Sequence, residues 1–213
     1  MVIVVVLTVR EWSFLHHLGW RVWGSSNVPW PSSTALGSWG WLQIVNFLQL
    51  GLAVLYLSER FTKLLPARRA RTLARWTLRL AGLALLALCF KTDPSGTVKT
   101  WHGGIHAIAF VVLVLATLVA MFAVARAGTQ LVRRASMFAA AAVILFTAVS
   151  IAWSGSGAVF GTLALLSILG WVELLALLVA RDSRGRDSAA RTPAVGWSAR
   201  RALARPARSS GHD

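Results

Sequence analysis

Apolar residues in this chain come in long unbroken runs rather than in alternation with polar ones. Four stretches, 41–58, 103–125, 135–153 and 157–180, hold or approach the roughly 20 apolar residues that carry a helix across a bilayer. A fifth, 76–90, is shorter and has Arg79 in its first turn. Arg75 and Arg79 can extend their stems and set their guanidinium groups among headgroups, so this run also predicts a span; the alternative is a half-buried helix. The runs are too long and too uninterrupted for strands, and a lipid core admits only helices or closed barrels. The pattern therefore predicts an all-α, polytopic transmembrane helix bundle over 41–180, flanked by an N-terminal segment 1–40 and a tail 181–213.

The flanks are different in kind. The run 1–9, MVIVVVLTV, stops at Arg10 and Glu11. It is too short to span and lacks the basic n-region and small-residue cleavage site of a signal peptide. Extending it to Trp20 would put Arg10, Glu11, His16 and His17 into hydrocarbon, at a cost on the order of several kcal/mol. It reads either as an interfacial segment or as the outer end of a first helix that starts upstream of Met1. The tail is rich in Arg, Ala, Ser and Pro and has no hydrophobic face, so it reads as disordered and basic.

Composition sharpens this picture. The 213 residues are 56% hydrophobic and 14% charged, with a mean hydropathy of +0.64. A soluble domain carries about 25% charged residues. Disorder is excluded, and an ordinary soluble globule is not the expected class. The net charge of +15 is unevenly placed. Segment 59–79 has seven Lys and Arg, segment 126–134 has three and the tail has eight, against four (Arg10, Arg21, Lys91 and Lys99) on the other side. Eighteen against four places the basic loops and the C-terminus in the cytoplasm. Trp12, Trp20, Trp23, Trp30, Trp39, Trp41, Trp101 and Trp153 fall on the outer side, where tryptophan favours the headgroup layer. The basic segments are expected to touch anionic lipid headgroups rather than nucleic acid. Arginine far outnumbers lysine, which fits a GC-rich bacterial genome and hence the bacterial plasma membrane. The lone Cys89 excludes an internal disulfide and a cysteine-based zinc site.

Polar groups inside a membrane are costly, so their positions carry the functional information. Gln43, Asn46 and Gln49 lie three apart on the first clear span. His102 and His106 stand at i and i+4 at the start of the third, and Asp93 lies in the loop before them. Thr147, Ser150 and Ser154 occupy the outer half of the fourth. These residues predict an outward-facing polar pocket in which Asp93, His106 and Asn46 converge, with His102 and Gln43 at the rim. Two histidines at i and i+4 with a nearby carboxylate can chelate a divalent metal, so Asp93, His102 and His106 are metal candidates. The plainer reading has Asp93 capping its loop and the histidines bonding other helices or interfacial water. Glu173 is the one carboxylate inside a clear span, either hydrogen-bonded to a neighbouring helix or part of a proton path. Gly157 with Gly161, and Ala135, Ala139 and Ala142, are close-approach faces for packing; a homo-oligomer is left open. No sequence motif calls for a cofactor or marks a soluble-enzyme catalytic site.

Two outer motifs resemble a known family. Ser38-Trp39-Gly40-Trp41-Leu42-Gln43-Ile44-Val45-Asn46-Phe47, continuing to Gly51, is similar to the start of the second helix in the domain of unknown function 998 family of bacterial and archaeal membrane proteins. Phe90-Lys91-Thr92-Asp93-Pro94 followed by His102-Gly103 and His106 resembles that family's outer-loop signature. Glu173 falls where such proteins often carry a Glu-Arg pair, with Leu174 in place of the arginine. The likeness covers about 33–180 and implies a six-helix bundle, with 1–9 as the remnant of helix one. It implies no activity. Three function classes follow: a non-enzymatic binding or scaffolding protein, a metal-dependent hydrolase or transferase on lipid-linked substrates at the outer leaflet, and a small proton-coupled transporter using Glu173.

Overall fold

The computed structural model describes residues 2–23, 31–94, 97–153 and 157–191. Trp30, Ser154, the expected outer loop 154–156 and the tail from 192 onward lie outside the described residues. Among the described residues the chain is helical, with no strand. The helices are α1 (Val2–Arg10), α2 (Trp12–His17), α3 (Gly40–Arg60), α4 (Arg68–Ala87), α5 (Trp101–Ala127), α6 (Gln130–Ala152) and α7 (Gly157–Arg191). Short 3-10 turns, Ser32–Leu36 and Phe61–Leu64, precede and follow α3.

Four helical stretches are long and apolar enough to cross a membrane: Gly40–Leu64, Trp101–Ala127, Gln130–Ala152 and Val159–Arg184. The expected fifth, α4, is 20 residues long but falls short on composition, because Arg68, Arg69, Arg71, Arg75 and Arg79 all lie in its first twelve positions. Its packing is nevertheless the most central in the bundle. It lies between α3 and α5. One stripe, Ala74, Leu78, Ala81 and Leu85, is buried at the 3-4 spacing of a helix face. The opposite stripe, Leu73, Trp76, Leu80 and Leu83, is exposed and equally apolar.

The glycine-based close approach also falls elsewhere than expected. Gly161 meets only the Ser150 Oγ, at 3.6 Å from where a Cβ would stand, which is ordinary contact. The tight crossing is between α3 and α4. A Cβ on Gly51 would come within 2.7 Å of Leu86, and one on Gly82 within 2.8 Å of Leu55. The two backbones touch there because neither residue has a side chain. On α6 the buried stripe is Val132, Ser136, Ala139, Ala140 and Val143; it receives α7, whose Trp171 Nε1 donates to the Ser136 Oγ at 2.9 Å.

The two ends of the chain depart from expectation as well. The helix does not give way at Arg10: after Glu11 the chain turns into α2, and Leu15 N–H still donates to the Glu11 carbonyl. Gly19, at φ +92°, ends α2 with a left-handed residue, and Trp20 N–H returns to the Leu15 carbonyl. Trp20 thereby folds onto Leu15 and is buried. At the other end α7 runs on to Arg191, so the first turns of the basic tail are helical and not disordered.

Candidate functional site

The expected polar residues gather at the end of the bundle where α3 and α5 begin, but they form three separate arrangements. The first is a cap. Asp93 accepts from the Thr100 amide at 2.8 Å and from the Thr100 hydroxyl at 2.6 Å. Thr100 is the N-cap of α5, and its hydroxyl also accepts from the Gly103 amide. Gly103 is a glycine for a steric reason, since the Asp93 carboxylate occupies the space a Cβ would take. Gly104 has no such constraint. The two Thr100 hydrogen bonds hold the Asp93 carboxyl below the usual aspartate range, with smaller help from His102 and Lys99. His102 stands beside this cap, its Nδ1 at 2.8 Å from the Thr100 Oγ1 and 3.9 Å from Asp93.

The second arrangement is built on His106, which is 5% exposed. Its Nδ1 donates to the Phe90 carbonyl at 2.6 Å. Its Nε2 lies 2.9 Å from the Ser32 hydroxyl. His106 thus ties the loop after α4 to the 3-10 turn before α3, 74 residues away in sequence. The third is a pair on α3: Asn46 and Gln43 are both buried and hydrogen-bond each other at 3.4 Å. Asn46 turns inward, as expected of an amide in a membrane. The Gln43 Nε2 has no hydrogen-bond partner among the described residues.

These contacts do not join Asp93, His106 and Asn46 into one ligand set. The cap and the Gln43–Asn46 pair each close on themselves, and His106 spends both ring nitrogens on protein oxygens. Among the described residues no three of His, Cys, Asp and Glu come together as metal ligands.

Three residues of this region escape sequence reasoning. Ser32 gives no signal, because its partner is so distant in the chain. Thr100 is detectable as a hydroxyl three residues before Gly103 at a helix start. Glu11 reads in the sequence as an obstacle to a helix; in the fold it is buried and accepts from the Ser38 hydroxyl at 2.9 Å and the Trp39 amide at 2.8 Å, capping the start of α3. Arg10 lies over the Trp39 ring at 5.2 Å.

The opposite, basic end is arranged otherwise. Arg79 does not depend on reaching the headgroups: its Nη2 meets Glu59 of α3 at 2.6 Å, and Arg75 lies 3.9 Å from the same carboxylate. Arg71 donates to the Leu65 carbonyl, and the Arg133 Nε donates to the Ala125 carbonyl near the end of α5. Glu173 is exposed on α7 and, among the described residues, is not bonded to a neighbouring helix. Between α3 and α7 a cleft of about 580 Å³ has Arg60 and Lys63 among its lining residues.

Residues 31–181 match the family model described as protein of unknown function (DUF998), a match over more than half of the chain. No curated protein and no solved structure matches the chain. The chain belongs to the DUF998 family, and it is a multi-pass membrane protein.

Proposed function

We propose that this family member crosses the bacterial plasma membrane five times, keeps its basic end in the cytoplasm, and works by binding a membrane ligand rather than by catalysis. The observation that carries the binding reading is the contrast between the two ends. At the α3/α5 start the polar side chains are largely used up on caps and interhelical bonds. At the basic end a cleft stands open with cations on its rim. A hydrolase at the outer leaflet would draw on Asp93, His102 and His106, whose contacts already serve the fold.

Five crossings are supported by the bond between His106 and Ser32. It sets the starts of α3 and α5 at the same end, so the chain between them has to return across the full length of the bundle. Helix α4 is the element that makes this return, and at about 30 Å it is long enough. Its two apolar faces suit a helix with protein on one side and lipid on the other. The Glu59–Arg79 pair lowers the cost of its arginines.

Alkaline-phosphatase fusions test the arrangement. Fusions in the 91–102 loop should be active and fusions after Ala180 silent. The reverse result would overturn the orientation, and equal activity on both sides of α4 would remove it as a crossing.

A further inference from the structure

The cleft between α3 and α7 is apolar along its length and cationic at one end. Ala53 and Tyr56 stand on the α3 wall, Ala176 and Ala180 on the α7 wall, and Arg60 and Lys63 at the mouth. The walls belong to the two membrane-length stretches Gly40–Leu64 and Val159–Arg184. Small side chains on both walls leave the room. Seven residues separate Ala53 from Arg60, so the apolar part is about 10 Å deep. Arg60 is steered to the mouth by Tyr56, with its guanidinium 5.4 Å from the ring centre.

The charge at the mouth is only partly offset from within. Glu59, next to Arg60 in sequence, is taken by Arg79 and Arg75 across α4. Arg60 and Lys63 are exposed and pair with no acid among the described residues. Asp182 also lines the cleft and has a partner of its own, so the lining holds two cations to one acid. An apolar slot at membrane depth ending in two free cations is complementary to one kind of molecule, an acyl chain that ends in an anionic phosphate. We infer that the α3/α7 cleft is a binding site for an anionic phospholipid, its chain between Ala53 and Ala180 and its phosphate on Arg60 and Lys63. This rests on reading the cleft as the ligand-binding surface. The fusion scan concerns orientation alone, so either result can fail while the other stands.

The test uses the 213-residue chain, delipidated in a neutral detergent. It is titrated with phosphatidylglycerol, with phosphatidylcholine of the same acyl chains and with inorganic phosphate, and the first adduct is followed by native mass spectrometry. Phosphatidylglycerol should bind, phosphatidylcholine at least about fivefold more weakly, and inorganic phosphate should not displace the lipid. Arg60→Gln and Lys63→Gln should each weaken phosphatidylglycerol by about fivefold. Ala180→Phe should abolish the adduct by filling the cleft with no change of charge. Ala53→Phe does the same from the opposite wall, so a folding failure in one variant leaves the other informative. Arg69→Gln, at the same end but outside the cleft, should leave binding unchanged. Equal binding of the two lipids, displacement by free phosphate, binding that survives both filling variants, or an equal loss in Arg69→Gln would overturn the inference.

Discussion

The two ends of this bundle use their polar side chains differently. At the end where α3 and α5 begin, Glu11, Asp93, Thr100 and His106 are bound to backbone groups and hydroxyls of other segments. At the basic end some cations are engaged in the same manner, Arg71, Arg79 and Arg133 among them, but Arg60 and Lys63 are left over. The difference teaches that residue type is a poor guide to where a membrane protein is receptive. Histidine and aspartate look like chemistry, and arginine looks like a topology signal. In three dimensions the histidine and aspartate hold the fold, while two of the cations border open space.

If that comparison is right, disturbing the first end should cost stability, and removing the two left-over cations of the second should not. The largest effect is expected for His106→Ala. It deletes one buried and one partly buried hydrogen bond and opens a cavity beside Phe47, whose ring lies 6.3 Å from that of His106. A loss of about 2–4 kcal/mol is expected, read as a lower melting temperature of the detergent-solubilised protein. His106→Ala that melts like the wild type would break the comparison at its strongest point.

A smaller, pH-dependent effect belongs to Asp93. Its carboxyl titrates lower in the folded protein than in the unfolded chain, because Thr100 bonds the ionised form. The stability this contributes is fully present above the ordinary aspartate pKa, about 3.9, and is lost as pH falls through the depressed folded value. The melting temperature of the wild type should therefore fall more steeply below about pH 4 than that of Asp93→Asn. Parallel acid limbs for the two proteins would remove Asp93 as a cap. The smallest effect is expected for Arg60→Gln, which should change stability by less than about 0.5 kcal/mol at neutral pH. A large loss there would mean that the cations of the basic end hold the fold just as the polar groups of the other end do.

Much of the fold is legible in the chain. Apolar runs locate α3, α5, α6 and α7 because a lipid-spanning helix needs no partner to declare itself. Helix α4 is legible as a helix, but the acid that meets its Arg79, Glu59, stands twenty residues earlier, and no periodicity connects them. The Asp93 cap is half visible: the aspartate, Gly103 and the Thr100 hydroxyl at the helix start can each be picked out in the sequence, while the bond from Asp93 to Thr100 cannot. The Ser32–His106 bond is invisible, since it closes across 74 residues. The Gly157/Gly161 spacing suggests a close approach where Gly161 finds ordinary contact. The true backbone contact, Gly51 on Gly82, pairs single glycines on different helices, which no one-dimensional motif can express.

The length of α7 has a mechanical consequence. At 35 residues it is about 52 Å long, and it continues about two turns past Arg184, where its membrane-length stretch ends. Its long side contact is with α6, pinned by Trp171 on Ser136. Were α7 to turn on that contact, it would act as a lever. Ala176 and Ala180 lie on the same arm as the projecting turns, between them and Trp171, so a tilt imposed on those turns would be delivered to that wall. A partner that grips the end of α7 would thereby hold a handle on the width of the slot without ever touching it.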